Sequence, residues 1–366
     1  MKVGVVTIND ITNFGNRLQN YALCRVLRRD FGCRAVTLEP VAEKRFHDGN
    51  IVLHMKERAA RALCAFPSFA ERRFGNNMTR FAAFAKWNRN IPTRKFYDSE
   101  KLPRSLNEKF DMFFVGSDQV WNPLINAEHL DDCFLSFADV EKRAAISASI
   151  GMDALPYEFH EKYKNALAEF PNISVRENAG RDIIFDLTGE DVPVLCDPVM
   201  MLDVDEWLRV AKKPRVDVTK PYVLKYYLGD DSDDTQFDEL ARRAGWQIYS
   251  LLDDSVPELY SAGPGEFLSL IANASFVCSD SFHCIAFAIL FRRPFAVYDR
   301  GGEGSYMSSR LDTLLDKFSL GDRRRSRLSA DNMLSIDYSD LDGLIKKERM
   351  KFSLYISDVL GGVGQG

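Results

Sequence analysis

The chain has 366 residues, 46% of them hydrophobic, and a formal net charge of −5. That length accommodates two domains of ordinary size. The acidic balance argues against a general nucleic-acid partner, and no apolar run approaches the ~20 residues of a membrane span. The seven cysteines are scattered, with no CxxC or Cys/His spacing, so reduced core thiols are expected, with no metal site and no cofactor. The start, MKVGVVTIND, reads as a strand without the apolar stretch of a signal peptide, which suggests a cytoplasmic location.

Val3–Ile8 is an apolar strand followed by the loop Asn9–Gly15. A helix is predicted from near Asn16 to about Asp30, then a strand at Ala35–Leu38, the opening of a βαβ-style domain. The loop places Asn13, Gly15 and Asn16 at a strand-to-helix switch, as ligand contacts or as turn residues. Residues 52–65 and 69–87 read as basic amphipathic helices, by default solvated on one face, with contact to an anionic acceptor or a membrane surface as the minority reading. Phe110–Val115 is a buried strand leading to Gly116-Ser117-Asp118-Gln119. Further strands at Arg143–Ser149 and Ile173–Arg176 end in polar residues, so residues 9–16, 116–122, 147–151 and Arg176 can share one edge of a parallel sheet. Val192–Leu195 leads into Cys196-Asp197-Pro198.

Lys212–Lys220 reads as a linker, and a second α/β unit begins at Tyr222. Its centre is Ala274–Tyr298: a strand at Ser275–Ser279, a polar turn Ser279-Asp280-Ser281-Phe282-His283, a nearly unbroken apolar helix Phe282–Phe291 and a strand Phe295–Tyr298. Ligands of open α/β sheets sit at such strand ends, and free N–H groups at the helix start favour anions. His283 lies in that first turn, equally readable as a ligand contact or as a hydrogen-bonded structural residue. Asp280 is expected to cap the helix or orient His283. Gly301–Ser305 is a glycine-rich loop, Ser309–Phe318 a helix carrying Arg310, and Arg323-Arg324-Arg325 with Arg327 a basic cluster expected in solvent. Leu341–Leu360 is a closing helix.

Six segments, in order, carry a resemblance: NFGNRLQNYAL (Asn13–Leu23), FVGSDQVWNP (Phe114–Pro123), ISASIG (Ile146–Gly151), ISVREN (Ile173–Asn178), CDPVMML followed by Trp207, and SDSFHCIAFAILFRRPF (Ser279–Phe295). Together they resemble the polysaccharide pyruvyl transferase family over roughly residues 1–325. The resemblance implies an α/β, GT-B-like fold: two Rossmann-like domains with parallel sheets facing an interdomain cleft. The domains would be residues 1–212 on the acceptor side, with the helix 341–360 packing back on them, and 221–325 on the donor side. It implies phosphoenolpyruvate as donor and a sugar or glycan acceptor, free or lipid-linked, pyruvylated as a ketal. Two positions depart from the pattern: Ser281, where some characterised members carry arginine, and Cys284, where many carry glycine.

Phosphoenolpyruvate bears a phosphate and a carboxylate, and its transfer needs an acid, a base and neutralised charge at the leaving phosphate. His283 and Asp118 are the catalytic candidates. Arg176, His283, Ser281, Phe282, Arg300 and Arg310 are the donor-side candidates, with Arg176 first as anion clamp and a surface ion pair preferred for Arg310. Asn13, Asn16, Gln119 and Ser149 are the acceptor-side candidates. A nucleotide-sugar glycosyltransferase of the same architecture and a non-catalytic glycan-binding relative stay open.

Overall fold

Strands without hydrophobic alternation suit a parallel sheet covered on both faces. In β1 (Lys2–Val6), β2 (Arg34–Val41), β3 (Thr93–Tyr97), β4 (Met112–Asp118), β5 (Arg143–Ala148) and β6 (Ile173–Val175), β4 and β5 are buried at every position. The computed structural model describes residues 1–10, 12–41, 76–97, 101–229, 235–301, 308–329 and 332–362. The helix expected at 52–65, the first part of that expected at 69–87, the acidic stretch at 230–234 and the loop at 302–305 lie outside these.

The six strands are all parallel, in the order β3-β2-β1-β4-β5-β6. A second parallel sheet has the order β10-β9-β7-β8, from β7 (Tyr222–Tyr226), β8 (Gln247–Ser250), β9 (Phe276–Ser279) and β10 (Phe295–Val297). Crossovers leave in opposite directions from the neighbouring strands β1 and β4, and again from β7 and β9. Each pair forms the switch point at which doubly wound sheets bind ligands. The fold is therefore GT-B-like, two Rossmann-like sheets whose C-terminal edges meet.

The first helix, α1 (Phe14–Phe31), starts two residues earlier than expected because Asn13 caps it, its side chain accepting from the Asn16 amide at 3.0 Å. Gly32 ends it in the left-handed conformation, φ 61°. At the end of β4, a Cβ on Gly116 would fall 1.9 Å from the Ile146 carbonyl oxygen. Only glycine lets the chain lie this close to β5 before Asp118.

The remaining principal helices are α2 (Asn76–Trp87), α3 (His160–Leu167), α4 (Asn178–Thr188), α5 (Val204–Val210), α6 (Thr235–Ala244), α7 (Pro264–Asn273), α8 (Phe282–Leu290), α9 (Ser309–Lys317) and α10 (Leu341–Gly362). Every residue of α8 is buried, as its apolar circumference dictates. One apolar cluster runs through both sheets, from Val3 and Val5 to Leu224 and Val277. Within it Phe14 stacks on Phe267, 4.4 Å between centroids, and meets Tyr226 edge-on at 5.7 Å. The guanidinium of Arg80 lies over the ring of Phe14, 4.8 Å from its centroid, and donates to the carbonyls of Thr12 and Tyr260.

The final helix α10 ties the halves further. Tyr355 donates to the Ala145 carbonyl, and Glu348 receives Lys317 and Lys351, each at 2.6 Å. Of the basic cluster expected in solvent, Arg327 is exposed and Arg325 half-buried, but Arg323 and Arg324 are turned inward. Arg323 is fully buried and donates to the carbonyls of Asn332 and Ser335, and Arg324 pairs with Asp299 and Asp312. Among the described residues no helix is long and apolar enough to cross a membrane.

Phe14→Ala should cost about 3–5 kcal/mol, the range for removing a buried aromatic ring. A single, cooperative urea transition shifted to lower denaturant would show that the two sheets unfold as one unit.

Candidate active site

The polar strand ends of both sheets converge. Asp118 closes β4, Arg176 and Glu177 follow β6, and Asp197 follows the segment bridged to β6 at Val175 and Val194. Opposite them, the turn after β9 delivers His283 on the first turn of α8. All five residues are at least nine-tenths buried. Asp197 is the centre. Its Oδ2 receives Arg176 Nη1 at 2.7 Å and Ser117 Oγ at 2.8 Å, and lies 3.4 Å from His283 Nε2. Its Oδ1 accepts the Val199 amide at 3.0 Å.

Asp118 sits beside it with φ 74°, a conformation few non-glycine residues adopt. Its carboxylate accepts its neighbour Gln119's amide at 3.0 Å, Asn16 Nδ2 at 3.3 Å and, more weakly, Arg176 Nη2 at 3.5 Å. Burial works against charge on both aspartates. The charges of His283 and Arg176 outweigh it, and hold both below the usual carboxylate range. Arg176 is likewise opposed by burial and kept charged by Asp197, Asp118 and Glu177. Its guanidinium also lies 4.3 Å from the ring of Phe282.

His283 is fixed by steric closeness as well as by charge. A Cβ on Gly15 would fall 2.0 Å from His283 Nδ1. The bare backbone of the first turn of α1 is therefore the wall against which the imidazole packs.

The structure thus gathers Asp118, Asn16, Arg176, Phe282 and His283. Of the other candidates, Asn13, Gln119 and Arg300 are engaged elsewhere, Ser149 supports the cluster from behind, and Ser281 and Arg310 are buried beside it. Asn13 is the helix cap, and Gln119 Oε1 accepts from Asn122 at 3.0 Å. Ser149 is fully buried and donates to Glu177 Oε1, which also accepts the amides of Ile150 and Gly151. Asp280 does not cap α8. Its two oxygens take the amides of Leu228 and Gly229, each at 2.8 Å, clamping the loop after β7, and Arg300 pairs with it at 3.3 Å. Ser281 occupies the N-cap position of α8, and its side chain makes no capping bond. Arg310 is not in a surface ion pair; it is 6% exposed.

Asp197 and Glu177 were missing from the sequence-based set. Both lie inside the motif segments, one residue after Cys196 and after Arg176. An acidic residue at a strand end in each was the signal available. Among the described residues no group of three or more His, Cys, Asp or Glu is placed to hold a metal ion.

Residues 13–302 match the family model described as polysaccharide pyruvyl transferase. None of the curated proteins matches the chain. Solved structures similar to it include HepE of Anabaena in complex with UDP, 10% identical over 99% of this chain and 100% of that one, TM-score 0.45. A UDP-GlcNAc 2-epimerase from Neisseria meningitidis bound to UDP-GlcNAc is 10% identical over 98% and 99%, TM-score 0.46. The ADP-heptose heptosyltransferase II of E. coli is 11% identical over 96% and 99%, TM-score 0.38.

Two measurements test this geometry. Asp197→Asn should lower stability near neutral pH, because Arg176 and His283 lose their shared anion. The folded-state pKa of Asp197 is depressed, so its contribution is complete above the unfolded value of about 3.9 and fades as pH falls below it. The gap between wild type and variant in urea melts should therefore narrow as pH falls below 4. Gly15→Ala should cost about 1–3 kcal/mol by overpacking. In a His283→Ala background the same change should cost nothing, which a double-mutant cycle reads directly.

Proposed function

The chain belongs to the polysaccharide pyruvyl transferase family, and on that premise we propose that it moves the pyruvate group of phosphoenolpyruvate to a sugar hydroxyl pair as a ketal, releasing phosphate. The observation that carries the reading is the buried His283–Asp197–Arg176–Asp118 cluster, with Asp118 and His283 at the two switch points and Arg176 and Asp197 from the β6 edge of the larger sheet. It places an imidazole and two carboxylates side by side, with Arg176 holding the carboxylates, at the strand ends where a ligand of such sheets is received.

In the transfer, the methylene carbon of the donor gains a proton and C2 becomes electrophilic. One sugar hydroxyl bonds to C2 and yields its proton. A second hydroxyl then displaces phosphate at C2, and its proton leaves with the phosphate. His283 is the acid in this scheme. Asp197, 3.4 Å from Nε2, holds the ring in place at the start of α8, where an anionic ligand is favoured. Asp118 is kept ionised by His283 and Arg176 despite its burial, the state a base for the hydroxyls requires. Asn16, bonded to Asp118, orients it toward the acceptor. The acceptor is a sugar of a polysaccharide or its precursor, free or lipid-linked, approaching from the side of the larger sheet.

Thermal unfolding with phosphoenolpyruvate at 100 times its dissociation constant should raise stability by roughly 2.7 kcal/mol. His283→Ala should keep the fold and abolish acceptor-dependent phosphate release, and Asp118→Asn should lower that release by at least 100-fold. A protein stabilised by nucleotide sugars but not by phosphoenolpyruvate, with or without acceptor glycan, would overturn the reading.

A further inference from the structure

Arg176 is the obvious anion clamp by sequence, yet its charge is already spent on protein carboxylates. Nη1 is bonded to Asp197, Nη2 reaches Asp118, and Nε lies 3.9 Å from Glu177 Oε2. A ligand anion reaching Arg176 would have to compete with these groups in a buried setting. Arg310 presents the opposite case. It is 6% exposed, its Nε is buried without a hydrogen-bond partner, and its side chain makes no hydrogen bond or ion pair to any described residue.

Arg310 has been brought to the site. Its helix α9 packs on both α8 and α4. Thr313 Oγ1, one turn along from Arg310, accepts the amide of Asn178 at 3.1 Å and so caps the helix that follows Arg176 and Glu177. Arg310 shares a small crevice with Asp280 and Arg300. The charges it feels most are those of Arg176, Asp118 and Glu177, and burial with the nearby Arg176 pushes its pKa down to about 10. A buried guanidinium without a partner is costly. Beside a second cation it is costlier still, unless an anion arrives to pair with it.

We propose that Arg310, on a helix beyond the family-matched segment, is the residue that receives the ligand's phosphate group, while Arg176 holds Asp197 and Asp118 in place. Its planar fork suits two phosphate oxygens at once. This rests on the reading of a phosphate-bearing donor, and the test separates the two ideas.

Binding of inorganic phosphate, phosphoenolpyruvate and pyruvate to the full chain is measured by calorimetry, for wild type, Arg310→Ala and Arg310→Lys. Urea melts follow the ligand-free proteins. Arg310→Ala should weaken phosphate and phosphoenolpyruvate by roughly 10- to 100-fold, the size of a lost charge-assisted contact. Any pyruvate binding should be unchanged, the lysine variant should recover part of the phosphate affinity, and the ligand-free alanine variant should be no less stable than wild type. Unchanged phosphoenolpyruvate affinity in Arg310→Ala overturns the inference and leaves the donor reading intact. Arg310-dependent phosphate binding with no gain for phosphoenolpyruvate over phosphate supports the inference and sinks the pyruvyl donor. A destabilised ligand-free alanine variant with normal phosphate affinity makes Arg310 structural and overturns the inference.

Discussion

A single buried carboxylate fixes how the two halves of this protein address each other. Asp197 is fully buried, so its charge must be answered inside the protein or it would not persist. Arg176 and Ser117 answer it from the larger sheet, and His283 reaches it from the smaller one. Such an arrangement contributes little net stability, because desolvating three ionisable groups offsets much of their attraction. What it fixes is orientation: the imidazole, the guanidinium and Asp118 are held within one small volume. Stability comes from the apolar contact behind them, where Phe14, Phe267 and Tyr226 pack together.

That apolar contact also bears on motion. Each sheet has an apolar cluster of its own, and a third, larger cluster runs through both. α1 contributes to it along most of its length, and α10 is bonded to both halves. Opening the cleft by a wide hinge would expose stacked aromatic rings to water. Rearrangements confined to loops and side chains around the strand ends are far cheaper, and Asp280 restrains one such loop through the amides of Leu228 and Gly229.

Much of this was legible in the chain itself. Parallel strands announced themselves as apolar runs, and the loops after them carried Asp118, Arg176 and His283 in an order that pointed to facing strand ends. The failures have physical causes. Asp197 reads as an ordinary cap, and one of its oxygens does cap the turn at Val199; only the tertiary fold reveals what the other oxygen meets. Asp280 precedes a helix and so suggests a cap, but the amides it takes belong to a strand end about fifty residues earlier in sequence. Arg310 and Arg323 look like solvent-facing charges because arginine usually is one. Their burial is imposed by elements remote in sequence or by carbonyl groups that composition does not display.

The contact between Gly15 and His283 ties two positions 268 residues apart (283 minus 15). Glycine within a helix is a burden of up to about 1 kcal/mol relative to alanine, and here the first turn tolerates it because the imidazole occupies the space a methyl group would take. A descendant lineage that dispensed with the histidine would lose the reason for the glycine, and drift would replace it with a better helix former. Paired retention of both residues across related chains would thus mark those that kept the chemistry, and paired loss those that kept only the scaffold.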